Sequence, residues 1–462
     1  MHDLADPDPR DARPSLQGVR RAYLIGVGGV GMSGAAEILR ARGIDVRGSD
    51  RHPPEGADAD DVPLPDDLDL VVWSAAIPEV HPQRATAETR GLPGWRYADL
   101  VGALMADRTG ICVAGSHGKT TTSALVSAAL MHAARDPSFV VGGRLQDHGG
   151  GARAGDGEHF VVESCEFDRS FHAHRPTHAI ITNVDEDHLD YYAGLAEIQE
   201  AFRVFAALLP AHGRLVVNDA YAPLFAGDAR LRAQLESYGF SDEATWHVDA
   251  MRPALDGAGV AFRLRERGVP RGEIELPMTG RHNVLNATAA AAVLSASGLA
   301  FDEIQAALAS FRGVARRQEL VAEAGGITVL DDYGHHPVEI RATIRALRRR
   351  FGQRRLVVIF QPHQASRTRC LMKDFAAALA EADEVWLPPI YFARDSEEER
   401  RAVTSGDLAR HVCNEGGAAI ALDGLDEAVA RGAEDLRSGD VVVTMGAGNV
   451  DEVAHGLARR LR

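Results

Sequence analysis

Cysteine and long apolar runs are scarce in this sequence of 462 residues, and basic residues are outnumbered by acidic ones. The four cysteines lie far apart, with no CxxC pair: Cys112, Cys165, Cys370 and Cys413. This spacing argues against a disulfide framework and gives no zinc-site pattern. The longest apolar runs, such as 356–360, have the length of a strand, well below the ~18 residues of a spanning helix. We therefore expect reduced thiols in a cytoplasmic protein with no membrane partner.

The charge balance argues against a nucleic-acid partner. The chain has 50 lysines and arginines against 66 aspartates and glutamates, a formal net charge of -16, whereas affinity for nucleic acids comes largely from basic surface. A nucleotide would have to be bound locally, by glycine-rich turns, metal ions and a few basic side chains. Residues 1–14 are acidic and rich in proline, and they predict a short disordered tail rather than a secretory signal.

Short apolar runs alternate with segments of helical period, which predicts parallel α/β domains. The length predicts about three domains. The predicted strands are 21–27, 45–48, 68–74, 110–114, 160–163, 177–182, 213–218, 260–264, 327–330, 356–360, 384–387 and 440–444. The predicted helices include 31–42, 120–134 and 283–297. We place boundaries near residues 108 and 314, which gives a disordered tail over 1–18 and domains over 19–108, 109–314 and 315–462.

A glycine-rich turn between a predicted strand and a predicted helix has the composition of a phosphate loop. Backbone N–H groups of such a turn and of the helix start present partial positive charge to phosphate oxygens. The lysine of the turn would reach the β- and γ-phosphates of ATP, and the hydroxyl that follows it would bind Mg²⁺. Val113 stands where the full motif has glycine, so the alternative is a turn whose lysine is merely exposed. The predicted ATP-binding residues are Gly115, Ser116, His117, Gly118, Lys119, Thr120 and Thr121.

Two acidic runs follow predicted strands downstream of this loop. They contain Glu163, Glu166 and Asp168 in the first run, and Asp185, Asp187, His188 and Asp190 in the second. The carboxyl ends of parallel strands are where α/β sheets bind ligands. Mg²⁺ binds few protein oxygens alongside substrate phosphates, so the two runs together favour a metal site over solvated loops.

A second glycine-rich turn lies near the start of the chain. Gly26, Gly28 and Gly31 satisfy GxGxxG between a predicted strand and helix, and Asp50 follows about 20 residues later. The pattern is compatible with an NAD-binding fold in which Asp50 contacts the ribose. A turn that binds another pyrophosphate, and a packing turn without a ligand, are the alternatives.

The C-terminal third contains a set of arginines and histidines near predicted strand ends. The set comprises Arg316, Arg317, Asp331, Asp332, His335, His336, His363, Arg367 and Arg369. Guanidinium groups suit bidentate capture of a carboxylate, and paired histidines can orient or deprotonate an amine. Arg369 could instead be a surface charge, and one of the paired histidines could belong to the core.

The order of five motifs resembles that of the Mur ligases. They are Gly26-x-Gly-Gly-x-Gly-Met-Ser33, Gly115-Ser-His-Gly-Lys-Thr-Thr121, Thr182-Asn-x-x-x-Asp-His188-x-Asp190, Gly280-Arg-His-Asn283-x-x-Asn286 and Asp332-Tyr-Gly-His-His-Pro337. The resemblance covers about residues 19 to 450. Ser33, Tyr333-Gly-His-His and Phe360-Gln-Pro-His make the chain most similar to the branch that adds L-alanine.

The resemblance implies an α/β protein of three domains. These are a Rossmann-like N-terminal domain for a UDP-sugar, a central P-loop ATPase domain, and a Rossmann-like C-terminal domain for the amino acid. It implies ATP-dependent joining of L-alanine to the carboxylate of UDP-N-acetylmuramate through an acyl phosphate, in peptidoglycan precursor synthesis. It also implies small-molecule substrates only, and we expect a monomer or weak dimer.

The resemblance further assigns roles to individual residues. Lys119, His188, His336 and Arg367 would be catalytic, the last taking the carboxylate of the amino acid. Thr120, Glu166 and His188 would bind Mg²⁺, and Asn283, Arg317 and Asp332 would contact ATP. The UDP-sugar would lie against Gly28, Gly29, Val30, Gly31, Met32, Ser33 and Asp50. The chain departs from the family at Gln364, where an arginine is usual, and at Cys165, where an acid is usual.

Three alternatives stay open at this stage. A recycling ligase of the same family would attach a whole tripeptide to the same sugar nucleotide. An NAD-dependent oxidoreductase would use the Gly26–Gly31 turn but leave the Lys119 loop without a role. A regulator without catalysis would bind ATP and show no hydrolysis that depends on an acceptor.

Overall fold

The computed structural model describes residues 14–186, 191–254, 259–392 and 395–461. These residues form two compact units. The first comprises the described chain up to Arg252, together with Ala261–Leu276 and Leu285–Arg312. The second comprises the described parts of Pro253–Val260, then Pro277–Val284 and the chain from Gly313 onward. No helix in the described ranges is long and apolar enough to cross a membrane.

The chain begins with a parallel sheet in the first unit. Its strands are β1 (Arg21–Ile25), β2 (Asp45–Asp50), β3 (Asp58–Ala59), β4 (Leu70–Trp73) and β5 (Gly94–Arg96), in the order β3-β2-β1-β4-β5. Its helices are α1 (Val30–Ala41), α2 (Pro82–Thr89) and α3 (Tyr97–Leu104). The strand predicted over 21–27 ends at Ile25, because Gly26 turns the chain with φ +85°.

A larger sheet follows, with ten strands among the described residues. They are β6 (Thr109–Ala114), β7 (Ser138–Val140), β8 (Ala152–Arg153), β9 (His159–Glu163), β10 (His178–Ile181), β11 (Arg214–Asn218), β12 (Gln234–Gly239), β13 (Trp246–Pro253), β14 (Val260–Glu266) and β15 (Val269–Leu276). The strand order is β15-β14-β13-β12-β11-β10-β6-β9-β7-β8. The helices of this region are α4 (Lys119–His132), α5 (Leu195–Ala206), α6 (Arg281–Ala296) and α7 (Phe301–Ala309).

Strand β6 and helix α4 form the buried centre of this region. Ile111, Cys112 and Val113 are fully buried on β6, and parallel partners flank the strand on both sides. Helix α4 is buried on all sides from Thr120 to Leu130, which suits a helix built largely of alanine, serine and threonine. The turn between these two elements is therefore supported by packed structure on both sides.

The two sheets of the first unit share one hydrophobic core. Met32 and Ala35 of α1 belong to the same buried cluster as Val140 and Ala152 of the second sheet. The contact is close enough that a Cβ added to Gly34 would lie 2.4 Å from Ala152 Cβ. Glycine at this position lets α1 approach the second sheet.

The second unit contains a third sheet. Its strands are β16 (Glu319–Ala324), β17 (Ile327–Asp332), β18 (Leu356–Phe360), β19 (Glu384–Leu387), β20 (Ala419–Ala421) and β21 (Val441–Met445), in the order β16-β17-β21-β18-β19-β20. Its helices are α8 (Pro337–Phe351), α9 (Ala365–Cys370), α10 (Met372–Leu379), α11 (Glu397–Ala402), α12 (Ser405–Asn414), α13 (Leu425–Asp435) and α14 (Asp451–Arg460). Strand β16 pairs antiparallel with β17 and the others are parallel.

The predicted α/β fold class is confirmed by these three sheets. Each predicted strand overlaps a strand of the structure. The sequence did not predict nine other strands of the described ranges, which are β3, β5, β7, β8, β12, β13, β15, β16 and β20. Most of the predicted tail, residues 1–13, lies outside the described residues. Ordered contacts are already present at 14–18, since the Pro14 carbonyl accepts a hydrogen bond from Arg175 at 2.7 Å and Leu16 packs against the core.

Candidate active site

The phosphate loop of the first unit has two positions that only glycine fits. Gly115 has φ +135°, and a Cβ there would lie 2.0 Å from Thr182 Oγ1. Gly118 has φ +82° at the N-cap of α4, and its Cβ would lie 2.8 Å from Asn286 Oδ1. Positive φ is costly for residues with a side chain. The loop therefore needs glycine both for its backbone conformation and for close packing.

The end of β10 holds this loop in place. Asn183 accepts a hydrogen bond from the His117 backbone N–H at 2.8 Å and donates one to the His117 carbonyl at 3.1 Å. The Thr182 hydroxyl donates to the same carbonyl at 2.6 Å. Ser116 Oγ accepts from the Asp185 backbone N–H at 3.0 Å. The sequence predicted a metal-binding run after β10. It did not predict that Thr182 and Asn183, the first residues of that run, hold the loop in place.

Lys119 lies inside the loop and against a buried carboxylate. Its Nζ donates to the carbonyl oxygens of Gly115 at 2.5 Å and Ser116 at 3.1 Å, and it lies 3.0 Å from Glu166 Oε2. The side chain of Glu166 is 2% exposed. Burial alone would lower the pKa of Lys119, but the carboxylates of Glu166 and Glu163 raise that pKa above its usual range. The lysine is therefore charged at neutral pH.

Glu163 connects Thr120 to the neighbouring strand. Glu163 Oε1 accepts from the Thr120 hydroxyl at 3.1 Å, and Oε2 accepts from the Gly142 backbone N–H at 2.8 Å. Two carboxylates and a hydroxyl are thus gathered at the phosphate loop. Carboxylate and hydroxyl oxygens are hard ligands of the kind that Mg²⁺ uses together with phosphates and water. The donor set fits the predicted metal.

The other predicted metal ligand, His188, lies outside the described residues, as do Asp187 and Asp190. In the part of the chain that the structure describes, no group of three or more histidine, cysteine, aspartate or glutamate side chains is arranged to hold a metal ion. The assignment of Thr120, Glu166 and His188 to Mg²⁺ stays a prediction.

Cys165 lies between the two glutamates, in place of the acid that the family usually has. Burial, and then the charge of Glu166, raise the pKa of the Cys165 thiol to about 12. The thiol is therefore neutral at physiological pH and a poor nucleophile. The thiol therefore adds no negative charge beside Lys119.

The N-terminal glycine turn is fixed by Asp50. Asp50 Oδ2 accepts from the Gly28 backbone N–H at 2.9 Å, and Oδ1 accepts from the His52 N–H at 3.0 Å. Gly29 is the N-cap of α1, and Val30, in the first turn, is 62% exposed. The exposed start of a helix is available to an anion. Asp50 therefore shapes this turn, and its proposed contact with a ligand stays a prediction.

The remaining predicted residues of that turn differ in accessibility. Met32 is buried in the shared core, so its side chain cannot contact a ligand, and any contact would have to come from its backbone. The Ser33 hydroxyl donates to the Val30 carbonyl within the helix at 3.0 Å. Gly31 lies under the ring of Tyr97, where an added Cβ would be 2.7 Å from Tyr97 Oη.

Two cavities that the sequence did not predict lie beside the carboxyl end of β4. The smaller, about 190 Å³, is lined by Ser74, Arg96, Tyr97 and Asp168 among others, and the larger, about 450 Å³, by residues that include Glu88 and Leu92. Both are lined by Trp73 and Arg84, whose guanidinium lies 4.4 Å from the ring centroid. The position of Ser74 directly after β4 was the available signal.

In the second unit, Asp332 is buried at the end of β17. It accepts hydrogen bonds from the backbone N–H groups of Gly334 at 2.8 Å and Gln318 at 3.0 Å. Burial raises the pKa of Asp332 to about 6, although Arg317 opposes the shift. The Arg317 guanidinium lies 5.2 Å from the centroid of the Tyr333 ring. The predicted pair Arg317 and Asp332 is therefore close together in space.

Arg316, next to Arg317, is a structural residue. Its guanidinium donates to Asp331 at 3.0 Å and to the carbonyl oxygens of Gly446 at 2.8 Å and Gly448 at 2.9 Å. It thereby joins β17 to the loop after β21. The neighbouring arginines thus differ in role, which their sequence positions did not reveal.

The predicted amino-acid contacts lie at the starts of α8 and α9. His336 is the N-cap of α8, and its Nδ1 accepts from the Val338 backbone N–H at 3.4 Å. Arg367 is half-buried on α9, and Gln364, with φ +67°, is the N-cap of that helix. Asn283 donates from Nδ2 to the Thr279 carbonyl at 2.8 Å. The roles proposed for these residues stay predictions.

Three models of the Mur ligase family match consecutive stretches of the chain. The Mur ligase family catalytic domain matches residues 21–109, the Mur ligase middle domain 113–294 and the Mur ligase glutamate ligase domain 316–448. The chain is also 39% identical to the UDP-N-acetylmuramate–L-alanine ligase of Geobacter sp. strain M21, over 96% of this chain and 98% of that protein. The chain belongs to the Mur ligase family.

Other relatives agree with this membership. The UDP-N-acetylmuramate–L-alanine ligase of Acidithiobacillus ferrooxidans is 40% identical, over 94% of this chain and 97% of that protein. The solved UDP-N-acetylmuramate–alanine ligase of Thermotoga maritima superposes with a TM-score of 0.79 at 26% identity, over 95% of this chain and 98% of that one. A murein peptide ligase of Psychrobacter arcticus, with a TM-score of 0.67 at 23% identity over 96% and 99%, shows the shared fold.

Membership decides several of the sequence predictions. The Mur ligase resemblance and the prediction of an ATP-dependent, amide-forming ligase are confirmed. The three-domain fold class is confirmed by the solved relative from Thermotoga maritima. The Mur ligases use ATP, so the predicted nucleotide has a clear candidate in the loop at Lys119.

Proposed function

We propose that this Mur ligase joins L-alanine to the carboxylate of UDP-N-acetylmuramate, in the cytoplasm, as a step of peptidoglycan precursor synthesis. One observation of the structure supports it above the others: a charged lysine lies in a glycine-rich loop with two carboxylates and a threonine hydroxyl around it. The relatives at 39% and 40% identity that carry the alanine-ligase name support the choice of substrates.

The domain limits follow as a further proposal. A boundary near residue 108 separates a UDP-sugar domain over 19–108 from an ATP domain over 109–314, and a C-terminal amino-acid domain occupies 315–462. The spans of the family models support these limits. We further propose that the enzyme acts as a monomer or weak dimer and takes only small-molecule substrates.

The reaction has two steps. An oxygen of the sugar's carboxylate attacks the γ-phosphorus of ATP, the bond to the bridging oxygen breaks, and an acyl phosphate and ADP form. The neutral amine of alanine then attacks the acyl carbon to give a tetrahedral intermediate. Its C–O bond to phosphate breaks, the nitrogen gives up one proton to the departing phosphate, and the amide is left. Phosphoryl transfer depends mainly on positioning and on spreading negative charge.

Lys119 would supply positive charge in the first step. Its ammonium is already beside the loop carbonyls of Gly115 and Ser116, so a small side-chain rotation would turn it toward bound phosphates. Thr120, Glu166 and His188 would hold Mg²⁺, which neutralises phosphate charge when bound. Asn283, Arg317 and Asp332 would contact the nucleotide.

The second step needs a site for alanine. Arg367 would bind its carboxylate, and His336 would face its amine. The turn from Gly28 to Gly31, with Asp50 behind it, would bind the diphosphate of the sugar nucleotide through backbone N–H groups. Met32 and Ser33, in the first turns of α1, would complete this sugar-nucleotide site.

The deciding experiment measures phosphate release from ATP in the presence of UDP-N-acetylmuramate and one acceptor at a time. We expect release with L-alanine, less with glycine and L-serine, and none without an acceptor. Release with the L-alanyl tripeptide but not with L-alanine would replace the proposal by the recycling ligase. Absence of acceptor-dependent release, with ATP bound, would favour a regulator, and a change in nicotinamide absorbance would favour an oxidoreductase.

A further inference from the structure

Tyr97, the first residue of α3, lies directly beside the N-terminal glycine turn. A Cβ added to Gly31 would lie 2.7 Å from Tyr97 Oη and 2.8 Å from its Cζ. Gly31 is in the first turn of α1, next to its N-cap Gly29. The glycine at position 31 thus makes room for the phenol, and the hydroxyl is placed at the end of the helix that favours an anion.

The carboxylate of Glu163, at the end of β9, lies within electrostatic reach of Tyr97. Burial, and then the charge of Glu163, raise the pKa of the Tyr97 phenol above its usual range. Glu163 in turn accepts from the Thr120 hydroxyl and the Gly142 backbone N–H. Tyr97 therefore lies beside the turn that would hold the sugar nucleotide, in the same compact unit as the loop that would hold ATP.

The hydroxyl of Tyr97 is available to a ligand. Among the described residues it makes no hydrogen bond, and Tyr97 is only partly buried and lines the 190 Å³ cavity with Ser74 and Arg96. A tyrosine hydroxyl away from bulk water usually has a hydrogen-bond partner. Because the phenol is neutral at working pH, it can donate a proton to an anionic oxygen, and hydrogen bonds to charged acceptors are strong.

We propose that Tyr97 is a binding residue for the sugar nucleotide, whose hydroxyl donates a hydrogen bond to an oxygen of the diphosphate held at the turn from Gly28 to Gly31. This rests on the proposed function, since it needs a UDP-sugar at this turn.

The test compares wild type with Tyr97→Phe, which keeps the ring against Gly31 and removes only the hydroxyl. Calorimetric titrations without ATP use UDP and UDP-N-acetylmuramate, because both carry the diphosphate. We expect the Kd of both to rise by about 10-fold or more, the range for a hydrogen bond to a charged group, with an unchanged Tm. The control Tyr238→Phe removes a hydroxyl from another buried tyrosine, on β12, and should leave both Kd values unchanged.

Three outcomes would overturn the proposal. Unchanged Kd values for both nucleotides would remove the hydroxyl from the site. A higher Kd for UDP-N-acetylmuramate with an unchanged Kd for UDP would show that the hydroxyl contacts the sugar and not the diphosphate. A lower binding stoichiometry with a lower Tm and an unchanged Kd would make Tyr97 structural. If the wild-type protein binds neither nucleotide, the proposed function itself is overturned. If wild type and Tyr97→Phe bind both nucleotides equally well, only the role of Tyr97 is overturned.

Discussion

Lys119 and Glu166 show how a single buried ion pair serves both stability and chemistry. The carboxylate is almost fully buried and the ammonium lies 3.0 Å away. Removing one partner of a buried pair leaves an uncompensated charge, at a cost of about 3–5 kcal/mol. A loss of activity in a lysine variant could therefore come from unfolding, and the two effects have to be separated.

The first prediction uses a pair of variants for this purpose. Lys119→Met should lower Tm and abolish ATP-dependent phosphate release. The double variant Lys119→Met/Glu166→Gln should have a Tm close to that of wild type, because neither buried charge remains without its partner. We expect turnover of the double variant to stay at least about 10²-fold below wild type, by analogy with the loss of one charge-stabilising donor. Differential scanning calorimetry and a phosphate-release assay measure the two effects.

Glu166→Gln alone is the control for the loss of this carboxylate, which is also a proposed Mg²⁺ ligand. We expect it to lower Tm and turnover, and the double variant to turn over more slowly still because it also lacks the lysine. Near-normal turnover of Lys119→Met would contradict the role given to the lysine. If turnover and Tm recover together in the double variant, the lysine acts only through stability.

At the scale of elements, the strand–turn–helix from β6 to α4 depends on glycine backbone conformations. Sequence alone predicted the turn and its glycines, because strand and helix signals flank them. It could not predict that Thr182 and Asn286 pack against the two glycines, since these contacts come from segments far along the chain. The loop's shape is thus local, and its rigidity comes from tertiary contacts.

Gly118→Ala tests this rigidity. The alanine would have to keep the backbone angle φ +82°, and its Cβ would lie 2.8 Å from Asn286 Oδ1. We expect a loss of stability of about 1–2 kcal/mol from the left-handed backbone. We also expect a several-fold higher KM for ATP. The matched control is Gly298→Ala, which has φ +86° with open space around its Cβ. It should lose similar stability at unchanged KM, measured by urea unfolding and steady-state kinetics. An equal KM effect in both variants would refute a specific role of the loop geometry.

At the scale of the whole molecule, each unit holds a histidine that burial keeps neutral. Burial, and then Arg214, lower the pKa of His178 to about 4 in the first unit. Burial lowers the pKa of His282 to about 4 in the second. The unfolded chain takes up these protons near the ordinary histidine pKa of 6.5, whereas the folded chain does not. The contribution of these two histidines to the free energy of unfolding is therefore fully present above about pH 6.5 and is lost as the pH falls toward about 4.

Acid should therefore destabilise wild type more than a variant without the first of these histidines. In His178→Gln, Tm should decrease less than in wild type between about pH 6.5 and about pH 4, because the uncharged amide takes up no proton. The histidine accounts for at most about 3 kcal/mol of the free energy of unfolding over this pH range. His455→Gln, at an exposed position of α14, is the control and should behave like wild type. Parallel curves for wild type and His178→Gln would show that His178 does not govern the acid response.

The sequence by itself determined the strands, helices and turns that depend on residues close together along the chain. Apolar runs predicted the central strands, and glycine spacing predicted both turns, because strand period, helix period and positive φ are local properties of the chain. The order of the motifs was enough to indicate the family. The antiparallel strand β16 was missed because its exposed edge position gives no continuous apolar signal.

Only the tertiary structure decided which partner each polar side chain takes. Asp50 accepts a hydrogen bond from the Gly28 backbone, and Arg316 joins β17 to the loop after β21 while Arg317 lies beside Asp332. Tyr97 occupies the space that Gly31 leaves open. Such contacts join segments that are tens of residues apart. Their geometry depends on how the sheets pack, and no local pattern in the chain encodes it.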